Sequence, residues 1–148
     1  MDLTPRREFV RDDLVIRLEV TIPGDPAHIS PFVDEVMRAV SEAGCADGAE
    51  DHIELSLREA LANAIRHGSK GDPTKTVQCT VACDPDRGML IVVRDSGEGF
   101  DPNTVASPIM GENLYSHHGR GIYLITQLMD EVRFERGGTE IHMRKRLR

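Results

Sequence analysis

The chain has few cysteines, no long hydrophobic run, no low-complexity stretch and no excess of positive charge, and each scarcity excludes a class of protein. Its three cysteines, Cys45, Cys79 and Cys83, are odd in number and too few for a disulfide framework. A reducing, cytoplasmic compartment is therefore the expectation. No apolar run approaches the ~20 residues needed to span a bilayer, so no transmembrane helix and no membrane partner is expected. The first residues, Met1 to Glu8, are polar and lack the apolar segment of a secretory signal. No internal repeat and no Pro/Gly/Ser-rich linker divides the 148 residues, which read as one domain, 1–148, long enough to bury a core without staples. The net charge of −7 speaks against nucleic acid as a direct partner, because phosphates need a basic surface. Arg144, Lys145, Arg146 and Arg148 are the one basic exception and read as a solvated strand end and tail.

What is present is ordinary for a globular protein, 39% hydrophobic and 29% charged. Leu14 to Ile22 alternates apolar and polar residues, the period of a half-buried strand. Asp25 and Pro26 then suit the N-cap and first position of a helix with Ile29, Val33, Val36 and Val40 on one face and Gly44 as its stop. Pro31 would clash in a helix interior, which moves the expected regular start to Ser30. Asp47 and Glu50 resemble a capping box. They precede the clearest helical pattern in the chain, Ile53, Leu57, Ala60, Leu61, Ala64 and Ile65, with Gly68 as a left-handed stop. Thr76–Cys83 and Met89–Arg94 read as a hairpin. A Gly/Pro/Asn-rich stretch from Asp95 to Gly119 has no period and is long for a connection. Gly121 to Asp130 reads as a short helix, and Val132–Glu135 with Glu140–Met143 as a closing hairpin. The sum is α+β, a two-layer sandwich with helices on one face of a mainly antiparallel, mixed sheet.

Three polar groupings stand out. Glu59 and Asn63 lie one turn apart on the same helix face. They are either a solvated flank or a carboxylate and amide oxygen able to share a hard cation such as Mg²⁺. Asp95-Ser96-Gly97-Glu98-Gly99-Phe100 follows an apolar strand. It is either a tight turn with a capping Asp, or a close-approach loop in which Asp95 accepts a hydrogen bond from a base amino group. It does not fit a calcium loop, since the twelfth position from Asp95 is Ala106. His118-Gly119-Arg120-Gly121 leads into a helix and is either a hinge or an anion site. It lacks the third glycine and the preceding strand of a dinucleotide fingerprint. Gly71 to Thr76 is no Walker A loop, because Thr74 stands where the second glycine belongs. Cys79 and Cys83 share a strand face without further ligands nearby, so all three cysteines are expected in the core rather than on zinc. His117-His118 reads as a polar loop pair.

The order of these groupings is more specific than any one of them. Glu59-Ala60-Leu61-Ala62-Asn63-Ala64 on a helix, Asp95-x-Gly97-x-Gly99 after a strand, a long loop, Gly119-x-Gly121 at a helix start and Gly138-Thr139 between closing strands resemble the GHKL, or Bergerat, ATP-binding fold. That fold is shared by gyrase, Hsp90, histidine kinases and MutL. Within it, the short form with Glu-Ala-x-x-Asn-Ala is similar to the anti-sigma factor serine kinases of bacterial partner switching, from about Leu14 to Leu147. Sensor histidine kinases usually carry Asn where this chain has Glu59. The resemblance implies ATP and Mg²⁺ as cofactors, with Asn63 holding the metal and Glu59 as the general base. It also implies that Asp95 binds the adenine amino group, that Gly97 and Gly99 let the nucleotide approach, and that Gly119, Arg120 and Gly121 present amides to the phosphates. Thr139 would support the adenine side, and residues Phe100 to His118 would form a lid. The implied partners are a sigma factor and an anti-sigma factor antagonist whose serine or threonine is phosphorylated, with homodimerisation a further implication. The alternative is a nucleotide-binding regulatory module that acts only through protein–protein binding.

Overall fold

The computed structural model describes residues 6–10, 15–45, 48–69, 72, 74–84, 88–97 and 117–146. In chain order the elements are β1 (Arg6–Val10), β2 (Val15–Pro23), α1 (Ile29–Glu42), α2 (Glu50–Asn63), β3 (Thr76–Asp84), β4 (Gly88–Asp95), α3 (His117–Leu128), β5 (Glu131–Glu135) and β6 (Glu140–Lys145). The strands form one sheet in the order β1-β2-β3-β4-β6-β5. Every pairing among the described residues is antiparallel, so the sheet carries no parallel pair there.

Alternation sorts the two faces. Leu18, Val20 and Ile22 of β2, Val77, Cys79, Val81 and Cys83 of β3, and Met89, Ile91 and Val93 of β4 are all buried. Arg17, Thr21, Gln78 and Leu90 on the other face are exposed. The register sets Val20 beside Cys79, Cys79 beside Val93 and Val93 beside Ile141, so one apolar row crosses four strands. Phe32, Val33, Val36 and Val40 of α1, Ile53, Leu57 and Leu61 of α2, and Ile125 of α3 cover that row from one side. This is the expected two-layer α+β sandwich. The opposite face is open, with a shallow groove of about 610 Å³ bordered by Arg17, Thr80, Leu90 and Arg94.

Local chemistry explains most boundaries. Asp25 Oδ1 accepts the Ala27 N–H at 3.0 Å and starts a short 3-10 turn, Pro26–His28, ahead of α1. The regular helix begins at Ile29, so Pro31 falls in its first turn, where no N–H is required. At the other end Gly44 has φ +69°. There the Gly44 N–H donates to the Ser41 carbonyl (3.1 Å) and the Cys45 N–H to the Val40 carbonyl (3.0 Å), a Schellman motif.

Several expectations are corrected. The N-cap of α2 is Ala49, with no side-chain cap, so Glu50 and Asp51 serve by opposing the helix dipole instead of closing a capping box. Asp47 lies outside the described residues. Gly68 is not a left-handed stop, since its φ is not positive. Instead α2 widens into a π-helical turn, Ala64–Ser69. The helix α3 starts at His117, not Gly121, so His117 and His118 belong to a helical first turn rather than to a loop. Strand β1 has no counterpart in the sequence reading.

The cysteines are also corrected. All three are buried as expected, but Cys45 and Cys83 form a disulfide, with Cα atoms 6.1 Å apart and a sequence separation of 38. The Schellman turn delivers Cys45 to the core end of β3, a proximity that spacing alone does not reveal. Cys79 is free, and burial pushes its thiol up to about 12. The basic C-terminal cluster is tied down where described. The Lys145 ammonium donates to the Leu128 carbonyl at 2.8 Å, capping α3, while Arg146 pairs with Glu131 at 2.9 Å. Arg148 lies outside the described residues, and no described helix is long and apolar enough to cross a membrane.

Candidate functional site

The end of β4, the start of β6, the π-helical turn and the head of α3 meet at one end of the sandwich. Asp95 is the last residue of β4, and its backbone N–H donates to the Thr139 carbonyl at 2.9 Å, which ties that strand end to the entry of β6. Its register neighbour Val77 is fully buried, so the Asp95 side chain lies on the helix-covered side. There Asp95 Oδ1 accepts the Gly97 N–H at 2.7 Å. Burial pushes this carboxyl above the ordinary carboxylate range, and the Gly97 N–H partly opposes it by favouring the charged form. A carboxylate held in this way is a directed acceptor at the floor of a cleft.

Glycine governs how closely the segments approach. A Cβ on Gly68 would clash with the Asp95 side chain, and one on Gly97 would sit 2.6 Å from the Gly68 Cα. Real side chains do not tolerate such contacts. Gly68, read from sequence only as a helix stop, is thus a site residue that sequence reasoning missed. The signal was a glycine five positions after Asn63, but nothing in one sequence pairs it with Asp95.

Glu59 and Asn63 sit on α2, both partly exposed, with Asn63 as its final α-helical residue. The packing of α2 against α3 brings the Glu59 carboxylate to the head of α3, with Oε2 3.0 Å from where a Cβ of Gly121 would be. A residue larger than glycine at 121 would crowd that carboxylate. Because α3 starts at His117, Gly119 lies in the first turn, where amides lack helical partners. Arg120 and Gly121 lie beyond it, so their N–H groups belong to the helical ladder. Of the three positions expected to offer amides, only Gly119 is suited to do so in this arrangement. Arg120 itself is exposed.

Thr139 is placed beside Asp95 by the backbone bond, but its hydroxyl donates to the Arg136 carbonyl at 2.9 Å within its own turn. Its oxygen keeps acceptor capacity only. Gly99, and with it residues 100–116 of the expected lid, lies outside the described residues. The structure therefore brings together Asp95, Gly97 and Thr139 on one side and Glu59 and Gly121 on the other, with Asn63 leading into the π-helical turn between them.

A nucleotide fits this chemistry. Asp95 supplies an acceptor for an amino group, and the missing side chains at Gly68 and Gly97 let the π-helical turn and the end of β4 close on each other around it. Among the described residues no three His, Cys, Asp or Glu side chains gather to hold a metal. Mg²⁺ bound with a nucleotide asks only for one or two protein oxygens plus phosphates, and the Asn63 amide oxygen is of that kind.

Comparison with known proteins agrees. Residues 22–145 match the family model of the histidine kinase-like ATPase domain. The chain is 28% identical over 124 residues to the serine-protein kinase RsbW of Bacillus licheniformis, an alignment covering 80% of this chain and 77% of the relative. It is 26% identical over 140 residues to the serine-protein kinase RsbW of Bacillus subtilis (strain 168), covering 88% and 85%. A third RsbW, from Staphylococcus aureus (strain MSSA476), is 27% identical over 135 residues, covering 86% and 85%.

Proposed function

Because the chain belongs to the histidine kinase-like ATPase domain family, we propose that it binds Mg-ATP and transfers the γ-phosphoryl group to a serine or threonine of a small antagonist protein. The observation that carries this reading is the Glu59 carboxylate lying beside Gly121 at the head of α3, on the same helix face as Asn63. A base one turn from a metal-binding amide, facing a helix N-terminus, is an arrangement for phosphoryl transfer, where positioning and charge neutralisation are most of the task.

Asp95 takes the adenine amino group on its carboxylate, and Gly97 and Gly99 admit the base, with Thr139 supporting that side. Asn63 holds Mg²⁺, which neutralises phosphate charge when bound. Gly119 offers its amide to the phosphates at the start of α3, with Arg120 and Gly121 shaping the same turn. Glu59 accepts the proton from the incoming serine or threonine hydroxyl as its oxygen bonds to the γ-phosphorus, while the bond from that phosphorus to the β-phosphate oxygen breaks and ADP leaves. Residues 1–148 act as one domain. By the family resemblance, the protein also sequesters a sigma factor until the antagonist displaces it, and works as a cytoplasmic homodimer without direct nucleic-acid or membrane contact.

The test is transfer of label from γ-labelled ATP to a candidate antagonist. Glu59→Ala should lower transfer by about 10²–10⁴-fold while leaving ATP affinity within about twofold of the wild type, since the carboxylate contacts the hydroxyl and not the nucleotide base. Asn63→Ala should weaken Mg-ATP binding by about tenfold, or roughly 1.4 kcal/mol. Absence of label on any antagonist, together with Mg-ATP binding that depends on Asn63, would leave the binding-module reading in place of the kinase.

A further inference from the structure

Gly68 is given no role by the motifs quoted from the sequence, yet its Cα is packed against the Asp95 side chain at the cleft floor. The Cβ that any other residue would carry clashes with the Asp95 Cβ, with its carboxyl carbon and with Oδ1. A clash of this kind matters only if neither partner can retreat, and the structure restrains both.

Asp95 is held at two points, by its backbone N–H on the Thr139 carbonyl (2.9 Å) and by Oδ1 on the Gly97 N–H (2.7 Å). The segment bearing Gly68 is wedged as well. It is a π-helical turn, Ala64–Ser69, whose wide bore carries the chain off the path of α2 and across to the end of β4. Its next residue, Ser69, is fully buried, and a Cβ on Gly24 at the corner between β2 and α1 would approach the Ser69 Cβ to 2.5 Å. The turn is therefore clamped between Gly24 on one side and Asp95 on the other. On its own side, Ala64 and Ile65 are seated in the core. Backbone retreat by the width of a methyl group would break this packing on both flanks.

We infer that Gly68 is a positioning residue for base recognition: its bare Cα fixes the rotamer of Asp95, so that Oδ1 stays on the Gly97 amide and Oδ2 faces the exocyclic amino group of the bound purine. A methyl group at position 68 pushes Asp95 away at its Cβ as well as at its carboxyl, so the carboxyl leaves this place. The site then loses its ability to tell an amino-purine from an oxo-purine, while its phosphate end is left alone. The inference rests on the reading of Asp95 as the adenine acceptor, and adds that the discrimination is set from the α2 side of the cleft.

The test compares binding of ATP and inosine triphosphate, which carries a carbonyl in place of the amino group, by calorimetry with Mg²⁺ present. The wild type should favour ATP by at least about tenfold, as sites built to pair with a donor reject analogues lacking it. Gly68→Ala should lose at least about tenfold in ATP affinity and stay within about twofold for inosine triphosphate, bringing the ratio close to one. Combined with Asp95→Asn it should lose no further ATP affinity, because both changes remove the same contact. Equal loss for both nucleotides would mean that Gly68 serves packing alone, and would overturn the inference while the adenine reading stands. A wild type with no preference, and Asp95→Asn with unchanged ATP affinity, would overturn the adenine reading itself. Should Gly68→Ala fail to fold, Gly68→Ala with Asp95→Gly should restore folding by removing the clashing carboxyl, and a double variant that also fails would overturn the steric argument.

Discussion

Asp95 is a carboxyl whose burial raises its proton affinity in the folded protein. The sign of the consequence is fixed: the folded state holds that proton more tightly than the unfolded chain. Asp95 therefore favours folding at low pH, and its contribution is lost as pH rises through the elevated folded value. At neutral pH the ionised side chain works against the fold and is kept for what it binds. Asp95→Asn, which still offers an oxygen to the Gly97 N–H, is expected to leave Tm equal or higher at pH 7 while lowering ATP affinity by at least about tenfold. Calorimetry of unfolding and of binding checks the two halves separately; a Tm that falls would mean the carboxylate is structural. At this scale the sequence was informative about chemistry and not about proximity. Asp95, Glu59 and Asn63 are legible as acceptors with the right neighbours, because residue type and helical period are local. The contact of Gly68 with Asp95, and the engagement of the Thr139 hydroxyl by Arg136, are long-range or conformational and leave no pattern in composition.

Among the elements, the hairpin of β3 and β4 and the helix α2 follow from alternation and from the 3.6-residue period, since Val77, Cys79, Val81 and Cys83 alternate and Ile53, Leu57 and Leu61 share one stripe. Where an element was misread, a competing local signal was at work. Gly68 looked like a left-handed terminator, but the turn is π-helical and glycine is needed there for close approach. The glycines of Gly119-x-Gly121 suggested a later helix start, since glycine lowers helix propensity, yet α3 gains more from burying Ile122 and Ile125 against α2. The disulfide between Cys45 and Cys83 joins the end of α1 to the end of β3. Closing a loop of 38 residues constrains the unfolded chain by about 3–4 kcal/mol in the loop-entropy view. Reduction of the purified protein should therefore lower Tm by roughly 10 °C or more, measured with and without a thiol reductant. An unchanged Tm would mean that the two sulfurs are not bonded in solution. In the cytoplasm proposed above, where thiols are kept reduced, the same pair would stand as a buried dithiol.

For the whole molecule, the cleft joins segments that are far apart in sequence, so a ligand that touches all of them binds only the folded chain. Mg-ATP at about a hundred times its dissociation constant should raise stability by roughly 2.7 kcal/mol, read as an upward shift in Tm. That shift should disappear with inorganic phosphate in place of the nucleotide. No shift with Mg-ATP at any concentration would remove the nucleotide site from the account. The single-faced architecture also matters here. The three described helices cover one side of the sheet, leaving Arg17, Gln78 and Leu90 on the other in contact with solvent. The net charge of −7 belongs to a surface on which Arg144 and Arg146 already pair with Glu131.

By itself the sequence determined the class of fold, the places of α1, α2 and the two hairpins, and the residue types able to do nucleotide chemistry. Each of these is written in periods of two or 3.6 residues, or in the side chains themselves. Only the tertiary structure decided that Gly68 seats the Asp95 carboxyl, that Glu59 meets the head of α3, that Cys45 reaches Cys83, and that Arg6–Val10 adds a strand. Those outcomes depend on which segments pack together across the core, and that pairing is settled by the summed burial of the whole chain, which no local window contains.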